Sequence, residues 1–237
     1  MIDKRARSPF EALEDVRDGA TVMVGGFGEA GSPIELIHAL IDQGATDLTI
    51  VSNNCGSGEV GLAALLKAGR VAKVICSFPR TANSTVFPEL YRSGRTKLEL
   101  VPQGTLAEPH PGGRRAGIPA FYTPTAVGTP LAEGKEQREF DGRRYVLEHG
   151  LRADLTIIKG KRADSHGNVV YNKTARNFGP IMAMAGTITV VQVEEVVEPG
   201  SIDPETVVTP GIFVDRVVEV ASPALESALV AAGAAYP

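Results

Sequence analysis

The amino-acid sequence predicts an α/β fold: an open, mostly parallel sheet covered by helices, with a β-rich hairpin lobe. Short apolar runs alternate with helical segments through the first half of the chain, which is typical of parallel strands buried on both faces. The Asp141-Gly142 pair lies between two strand-like runs and is a strong hairpin signal. Between Pro109 and Pro130, five prolines and four glycines exclude long regular elements.

The first predicted strand and helix are separated by a loop rich in glycine. The run TVMV at 21–24 is short, apolar and β-branched, so it predicts a buried strand. We place the helix N-cap at Ser32, with Pro33 as the first helical residue and Glu35 completing a capping box. Gly44 is placed to end this helix.

The other elements follow from the same signals, because apolar β-branched runs predict strands and glycines close the helices between them. In the first half, we predict strands at 48–52, 71–77 and 97–101 and helices at 59–68 and 84–92. In the second half, we predict a hairpin of 136–140 with 143–148, strands at 154–159, 187–193 and 212–220, a tight turn within 164–171, and a short helix at 179–185.

These elements indicate a single domain over residues 1–237. The irregular and hairpin segments form a β-rich insertion at roughly residues 105–150. The alanine-rich tail at 222–237 is expected to be loose or weakly helical.

The glycine loop itself allows three interpretations. Gly26, Gly28 and Gly31 satisfy the dinucleotide pattern G-x-G-x-x-G, but the acidic residue expected after the next strand is absent, which disfavours NAD. A glycine-rich turn can instead serve only to pack the helix on the strand. The third interpretation is a ligand site, since glycines permit close approach to the backbone and a helix N-terminus attracts anions.

Composition excludes several classes of protein. A net charge of −4 disfavours nucleic acid as a partner. The sequence contains no run of about eighteen apolar residues, so it predicts no membrane-spanning helix. The N-terminal MIDKRARSPF lacks the apolar core of a signal peptide. Two cysteines and four histidines are scattered without metal-ligand spacing. We therefore expect a cytoplasmic protein with no dedicated metal site.

Five blocks of sequence resemble one known family. The segment DGATVMVGGFGEAGSP resembles the N-terminal signature of family I CoA-transferases, whose fold is shared with ribose-phosphate isomerases. The other blocks are SNNCGSGEVGLAALL at 52–66, VPQGTLAE at 101–108, AGIPAFYTPT at 116–125 and ARNFGPIMAMAG at 175–186. They span nearly the whole chain and are similar to the α subunits, also called A subunits, of 3-oxoacid CoA-transferases. The run CSFPR at 76–80, with GLAALL, is most similar to the 3-oxoadipate group.

The resemblance implies CoA esters as substrates, no permanently bound cofactor, and a covalent mechanism in which a glutamate takes up CoA as a thioester. In two-chain members that glutamate belongs to the β (or B) subunit, and its glutamate–asparagine–glycine signature has no counterpart here. The expected partner is therefore a CoA-transferase β subunit, in a heterodimer or an α2β2 heterotetramer. The expected reaction moves CoA from succinyl-CoA to a 3-oxoacid, with 3-oxoadipate favoured over acetoacetate. A non-catalytic sugar-phosphate or acyl-CoA binding module is the rival interpretation.

Gln103 is the candidate catalytic residue. It follows a predicted strand, and the carboxyl ends of strands point into the ligand crevice of open α/β sheets. Its amide can donate to a developing oxyanion, and the resemblance implies the same role; the alternative is a glutamine that only ties down its own loop. The resemblance also assigns CoA binding to the glycine loop, namely Gly25, Gly26, Phe27, Gly28, Glu29, Ala30 and Gly31.

The substrate candidates are Asn53, Asn54 and Arg80. Paired asparagines at a strand end either bind substrate or form Asx turns, and an arginine pairs with carboxylates. Arg176 is a further possible carboxylate partner; Cys55 is expected to be inert, and Phe121, Tyr122, Met182 and Met184 are expected to serve in packing.

Two departures from the family pattern bear on acyl specificity. Pro109-His110-Pro111 and Gly112-Gly113-Arg114-Arg115 replace a basic-apolar-basic block, and Ala126 stands where a glycine is common. Arg114 and Arg115 are, with Arg80, the cations that could meet a second carboxylate.

Overall fold

The computed structural model describes residues 2–81, 83–107 and 118–236. Its strands are β1 Arg5–Ala6, β2 Thr21–Val24, β3 Leu48–Ser52, β4 Val71–Cys76, β5 Lys97–Leu100, β6 Ala120–Thr123, β7 Gln137–Phe140, β8 Arg143–His149, β9 Ala153–Lys159, β10 Arg162–Asp164, β11 Val169–Val170, β12 Gly186–Val193, β13 Glu195–Val197 and β14 Arg216–Glu219. Its α-helices are α1 Ile34–Gln43, α2 Gly61–Lys67, α3 Val86–Arg92, α4 Gln103–Ala107, α5 Gly179–Ala185 and α6 Glu226–Ala231.

The main sheet has eight strands in the order β1-β14-β12-β9-β2-β3-β4-β5, and all seven pairings are parallel. Helices cover both faces, because the central strands β2, β3, β9 and β12 bury consecutive side chains, which point to both faces of the sheet. One core packs Leu36, Leu40 and Leu65 against the sheet, and the other contains Ile158 and Met182. The mostly parallel α/β fold predicted from the alternating apolar runs is confirmed.

The order of the strands reverses at β2. From β2 the chain proceeds outward through β3, β4 and β5, whereas β9, β12 and β14 lie on the other side of it. Ligands of open α/β sheets bind at such a reversal, beyond the carboxyl ends of the strands. The glycine loop leaves β2 at this point.

Helix α1 starts one residue later than predicted. Pro33 occupies the N-cap position and provides no side-chain cap; in the first turn the Leu36 N–H donates instead to Gln192 Oε1 at 3.2 Å. The Glu35 carboxylate does not turn back to its own helix, because it accepts hydrogen bonds from Gln192 Nε2 at 2.6 Å and from the Ala224 N–H at 2.6 Å. Gly44 ends the helix as predicted.

Two predictions near the C-terminus also need correction. The strand predicted at 212–220 is shorter, because Gly211–Phe213 form a 3₁₀ turn and only β14 pairs. The tail, expected to be loose or weakly helical, contains the six-residue helix α6. It is not loose, because the Tyr236 ring stacks on His38 with centroids 3.8 Å apart. Tyr236 also donates its hydroxyl to Asp42 at 2.8 Å.

The hairpin lobe is a separate antiparallel sheet in the order β6-β8-β7. The predicted Asp141-Gly142 turn joins β7 to β8. One face of this sheet carries an aromatic group in which Phe140 contacts both Tyr122 and Tyr145 edge-on. The preceding Pro109-His110-Pro111 and Gly112–Arg115 segment lies outside the described residues.

Further small features complete the domain. Strands β10, β11 and β13 form a third sheet, which contains the predicted tight turn. Ala126 has a φ of 73°, a conformation that favours glycine. No helix within the described ranges is long and apolar enough to cross a membrane.

Candidate functional site

The candidate residues from separate sequence blocks lie at one edge of the main sheet. The glycine loop follows β2, Asn53 and Asn54 follow β3, Arg80 lies beyond β4, and Gln103 begins α4 just after β5. Because these neighbouring strands are parallel, their carboxyl ends meet at the same edge. The topology therefore brings together residues that are far apart along the chain.

Gln103 and Asn53 are joined directly. Gln103 Nε2 donates to Asn53 Oδ1 at 2.8 Å, although fifty positions separate the two residues. Asn53 is 3% exposed, and its carbonyl oxygen accepts a hydrogen bond from the Phe78 N–H at 2.9 Å. The buried asparagine thus fixes the orientation of the exposed glutamine amide, whose second N–H can serve a ligand.

Asn54 has a different role. Its Oδ1 accepts from the Gly56 N–H at 2.8 Å, which makes an Asx turn, and its carbonyl oxygen accepts from Ser52 Oγ at 2.6 Å. Asn54 is 7% exposed. The Asx-turn alternative considered for the asparagine pair therefore describes Asn54.

The neighbouring Cys55 is buried. Its Sγ lies 3.9 Å from that of Cys76, and both the contact with that thiol and burial raise the pKa of Cys55. Since the thiolate is the reactive form, burial and the raised pKa support the expectation that this thiol is unreactive.

The glycine loop closes on itself as a tight turn. The Phe27 N–H donates to the Ala30 carbonyl oxygen at 2.9 Å, and the Ala30 N–H donates back to Phe27 at 3.2 Å. Asn177 Nδ2 donates to the same Ala30 oxygen at 2.7 Å, and the Phe27 ring stacks on Phe178 at 6.4 Å. The first and the last of the family-like blocks therefore meet at this turn.

Two glycines of the loop have opposite surroundings. Gly31 has a φ of 77°, and a Cβ there would collide with the Ala175 carbonyl oxygen. Gly28 has a φ of 58°, and a Cβ there would meet no atom within 4 Å. Gly31 is thus required by packing, whereas Gly28 borders open space.

That open space is a cavity of about 390 Å³. It is shared by the glycine loop, through Gly28 and Glu29, and by the asparagine loop, through Asn54 and Ser57. Helix α6 of the tail forms another wall. Two of the segments that we assigned to ligand binding therefore border one volume.

Charged groups surround the turn. The Ser227 N–H donates to Glu29 Oε2 at 2.7 Å, and this bond holds the pKa of Glu29 below its usual value, with the positive charge of Lys159 as a smaller cause. Glu226 lines the same cavity, and its burial raises its pKa.

Sequence reasoning missed Lys159. It ends β9, the strand beside β2, and its charge acts on Glu29 in the glycine loop. The sequence signal for Lys159 is a charged residue directly after the mostly apolar strand run LTII.

The remaining candidates are two arginines and four packing residues. Arg80 and Arg176 are exposed, and neither forms an ion pair with a residue of the described ranges. Met182 is fully buried, and Phe121, Tyr122 and Met184 are half-buried, as expected for packing residues. No group of three His, Cys, Asp or Glu side chains that could hold a metal ion occurs among the described residues.

Comparison with known proteins places this geometry in a family. The family model described as coenzyme A transferase matches residues 7–220. The chain is 59% identical over 227 residues to the A subunit of 3-oxoadipate CoA-transferase of Pseudomonas putida, covering 96% of this chain and 98% of that protein. It is 50% identical over 211 residues to the A subunit of a probable succinyl-CoA:3-ketoacid coenzyme A transferase of Bacillus subtilis, covering 89% and 87% of the two.

Solved structures share the fold. An acyl-CoA transferase of Escherichia coli O157:H7 superimposes with a TM-score of 0.78 at 23% identity. The match covers 94% of this chain and 48% of the transferase, so this chain spans about half the length of that protein. Glutaconate coenzyme A-transferase of Acidaminococcus fermentans gives a TM-score of 0.76 at 21% identity, with 92% and 75% covered. The chain belongs to the coenzyme A transferase family.

Proposed function

We propose that this chain is the α subunit of a CoA-transferase that moves CoA from succinyl-CoA to a 3-oxoacid, with 3-oxoadipate as the acceptor. The observation that carries the proposal is the Gln103–Asn53 hydrogen bond at the carboxyl edge of the sheet, in a chain 59% identical to the corresponding subunit of a 3-oxoadipate CoA-transferase. Residues 1–237 act as one domain, and the complex is a heterodimer or an α2β2 heterotetramer in the cytoplasm.

The nucleophile in this proposal is a glutamate of the β subunit. It attacks the thioester carbonyl of succinyl-CoA to give a succinyl-glutamyl anhydride and CoA thiolate. The thiolate then attacks the glutamyl carbonyl of this anhydride, which forms the glutamyl-CoA thioester and releases succinate. The carboxylate of the 3-oxoacid takes up CoA by the same steps in reverse and so regenerates the free glutamate. Each attack places negative charge on a carbonyl oxygen. Gln103 donates its free N–H to that oxygen, and Asn53 orients the amide before the charge develops.

The glycine loop lines the path of the CoA ester. The open space at Gly28 allows a pantetheine arm to pass close to the backbone. CoA esters are substrates in this scheme, and no permanently bound cofactor takes part.

A second carboxylate distinguishes 3-oxoadipate from acetoacetate. Exposed Arg80 lies beyond β4, on the same edge as Gln103, and can pair with that carboxylate; Arg114 and Arg115 are further cations of the chain. Acetoacetate is the competing acceptor, because a relative at 50% identity is named as a probable succinyl-CoA:3-ketoacid transferase.

The test is reconstitution with the cognate β subunit. The purified chain alone is expected to be inactive, whereas the complex is expected to transfer CoA from succinyl-CoA to the 3-oxoacid. The assay monitors the absorbance of the enolate of the 3-oxoacyl-CoA product. We expect kcat/KM to be higher for 3-oxoadipate than for acetoacetate. Turnover by the single chain would overturn the shared-site proposal, and an equal or higher efficiency with acetoacetate would overturn only the acceptor.

The catalytic role of Gln103 is tested in the same complex. Gln103→Ala is expected to lower kcat by about a hundredfold, because losing one oxyanion donor costs about 2.7–4 kcal/mol in the transition state. Asn53→Ala in the Gln103→Ala background should add little, since Asn53 acts through Gln103. Gln137→Ala, on exposed β7, is the matched control. An unchanged kcat in Gln103→Ala would show that the glutamine only ties down its loop.

A further inference from the structure

The docked tail has no part in the proposed chemistry. We define residues 222–236 as the C-terminal strap. Its one helix, α6, has six residues, too few to be stable by itself. Its position therefore depends on the bonds it makes to the rest of the domain.

One end of the strap bonds to the segment that opens α1. The Ala224 N–H donates to Glu35 Oε1 at 2.6 Å, and the Ser227 N–H donates to Glu29 Oε2 at 2.7 Å. Glu35 is itself held by Gln192 at 2.6 Å. This end of the strap thus bonds to Glu29 of the glycine loop and to Glu35 of α1, which is itself anchored to the sheet through Gln192.

The other end bonds beside the asparagine loop. Tyr236 stacks on His38, and its N–H donates to the Glu59 carbonyl oxygen at 3.0 Å. Between the two ends, Val230 lies so close to Gly58 that a Cβ on that glycine would come within 2.7 Å of it. The strap is therefore in contact with both loops that border the cavity.

The glycine turn has few other supports. Its backbone has the freedom that glycine confers, and Phe27 is 52% exposed. Asn177 and the Phe27–Phe178 stack hold one side of the turn, and the strap holds the other side at Glu29. Removing the second support leaves the turn tied on one side only.

We propose that the C-terminal strap is a positioning element for the glycine loop, and that Glu29 is its positioning residue rather than a ligand contact. The Ser227–Glu29 bond sets the place of the turn, so that its loss weakens binding of the CoA ester. The consequence for CoA esters rests on the proposed function; the consequence for the loop does not.

The first test measures amide hydrogen exchange of residues 25–31 on the chain in complex with its β subunit. It reports the local stability of the glycine loop and does not depend on catalytic turnover. Glu29→Ala removes the acceptor, and Ser227→Pro removes the N–H near the start of α6. Both variants are expected to speed exchange of the turn by about tenfold, because a hydrogen bond to a charged group is lost. Glu29→Gln keeps an oxygen acceptor and should restore most of the protection. Leu225→Ala, at an exposed strap residue, is the control.

Kinetics test the link to the substrate. Glu29→Ala is expected to raise KM for succinyl-CoA by about tenfold with little change in kcat. In a chain truncated after Ala221, Glu29→Ala should have no further effect, since its partner is already gone. An additional loss there would show that Glu29 contacts the ligand itself and would overturn its assignment.

The outcomes separate the two proposals. Exchange within twofold of wild type in Ser227→Pro would overturn the positioning role, whatever the activity. If the wild-type complex does not turn over succinyl-CoA while the exchange results are as expected, the proposed function fails and the strap still positions the loop. Should the truncated chain not fold, Ser227→Pro in the Glu29→Ala background supplies the same comparison.

Discussion

Replacing Gly31 with alanine should be among the most damaging single changes in the glycine loop. The new Cβ would lie well inside 3.0 Å of the Ala175 carbonyl oxygen and 3.1 Å from Asn177 Nδ2. The close partner is a main-chain atom, so no side-chain rotation can relieve the contact. The glycine turn or the 3₁₀ turn Lys173–Arg176 that precedes α5 must move instead.

The magnitude follows from two contributions. The left-handed φ of 77° costs an L-residue about 1–2 kcal/mol. Displacing packed backbone costs about another 1–3 kcal/mol. Gly31→Ala should therefore lower the free energy of unfolding by about 3 kcal/mol or more.

Gly28→Ala is the matched control. Its φ of 58° carries the same conformational cost, but a Cβ there meets no atom within 4 Å. We expect a loss of only about 1 kcal/mol in the free energy of unfolding. Urea titrations followed by circular dichroism would measure both variants, with equal m-values as the condition for comparing midpoints. Equal losses in the two variants would refute the packing argument.

Three further predictions concern stability. Ala126→Gly should raise the free energy of unfolding by about 1 kcal/mol by relieving a left-handed φ, and a lower urea midpoint would contradict this. Burial holds the pKa of His38 below its usual 6.5, so the unfolded chain binds the proton first and stability should fall as pH drops below about 6.5. The Gly61 N–H donates to His38 Nε2 at 2.9 Å, and a glutamine can still accept that bond. His38→Gln should therefore flatten the slope of urea midpoints between pH 7.5 and 5.5, and a slope that persists would show that another group causes it. Lys135→Ala leaves the buried Glu148 carboxylate without its ammonium partner at 2.8 Å and should lower the free energy of unfolding by about 2 kcal/mol. Glu148→Gln in that background should recover part of the loss, measured by thermal unfolding. If Lys135→Ala alone caused no loss, the contribution of the ion pair would be contradicted.

Elements defined by local sequence were predictable. The central strands are short apolar runs, and β2, β3 and the helix Gly179–Ala185 lie where their residues indicate. The edge strand β1 has two residues, which is too short for any periodicity to show. Its existence depends on pairing with β14, a contact that no local signal encodes.

The errors in the predicted elements arose where a side chain contacts residues that are distant in the sequence. Glu35 follows Ser32 at capping-box spacing, yet its carboxylate serves Gln192 and Ala224. The docking of the tail likewise depends on a stack between Tyr236 and His38. Neither contact has a signature within a window of sequence.

The sequence predicted which segments contribute to the candidate site, but it did not predict how their side chains contact one another. Strand ends pointed to Asn53 and Gln103 separately, but only the parallel order of β3, β4 and β5 brings their side chains together. The sequence placed Glu29 inside the glycine loop. Its bond to the Ser227 N–H required the fold.

The position of β2 in the middle of the sheet has a consequence for folding. On one edge of β2, Val22 pairs with Ile50 of the next strand in the chain, whereas on the other edge it pairs with the far more distant Leu155. A nascent chain can therefore assemble β2 to β5 early, but the second edge of β2 stays open until residues 153–159 have been synthesised. Because loop closure over such distances is entropically costly, folding of this chain should be slow. During that interval the exposed strand edge is where nascent chains are most prone to pair with one another.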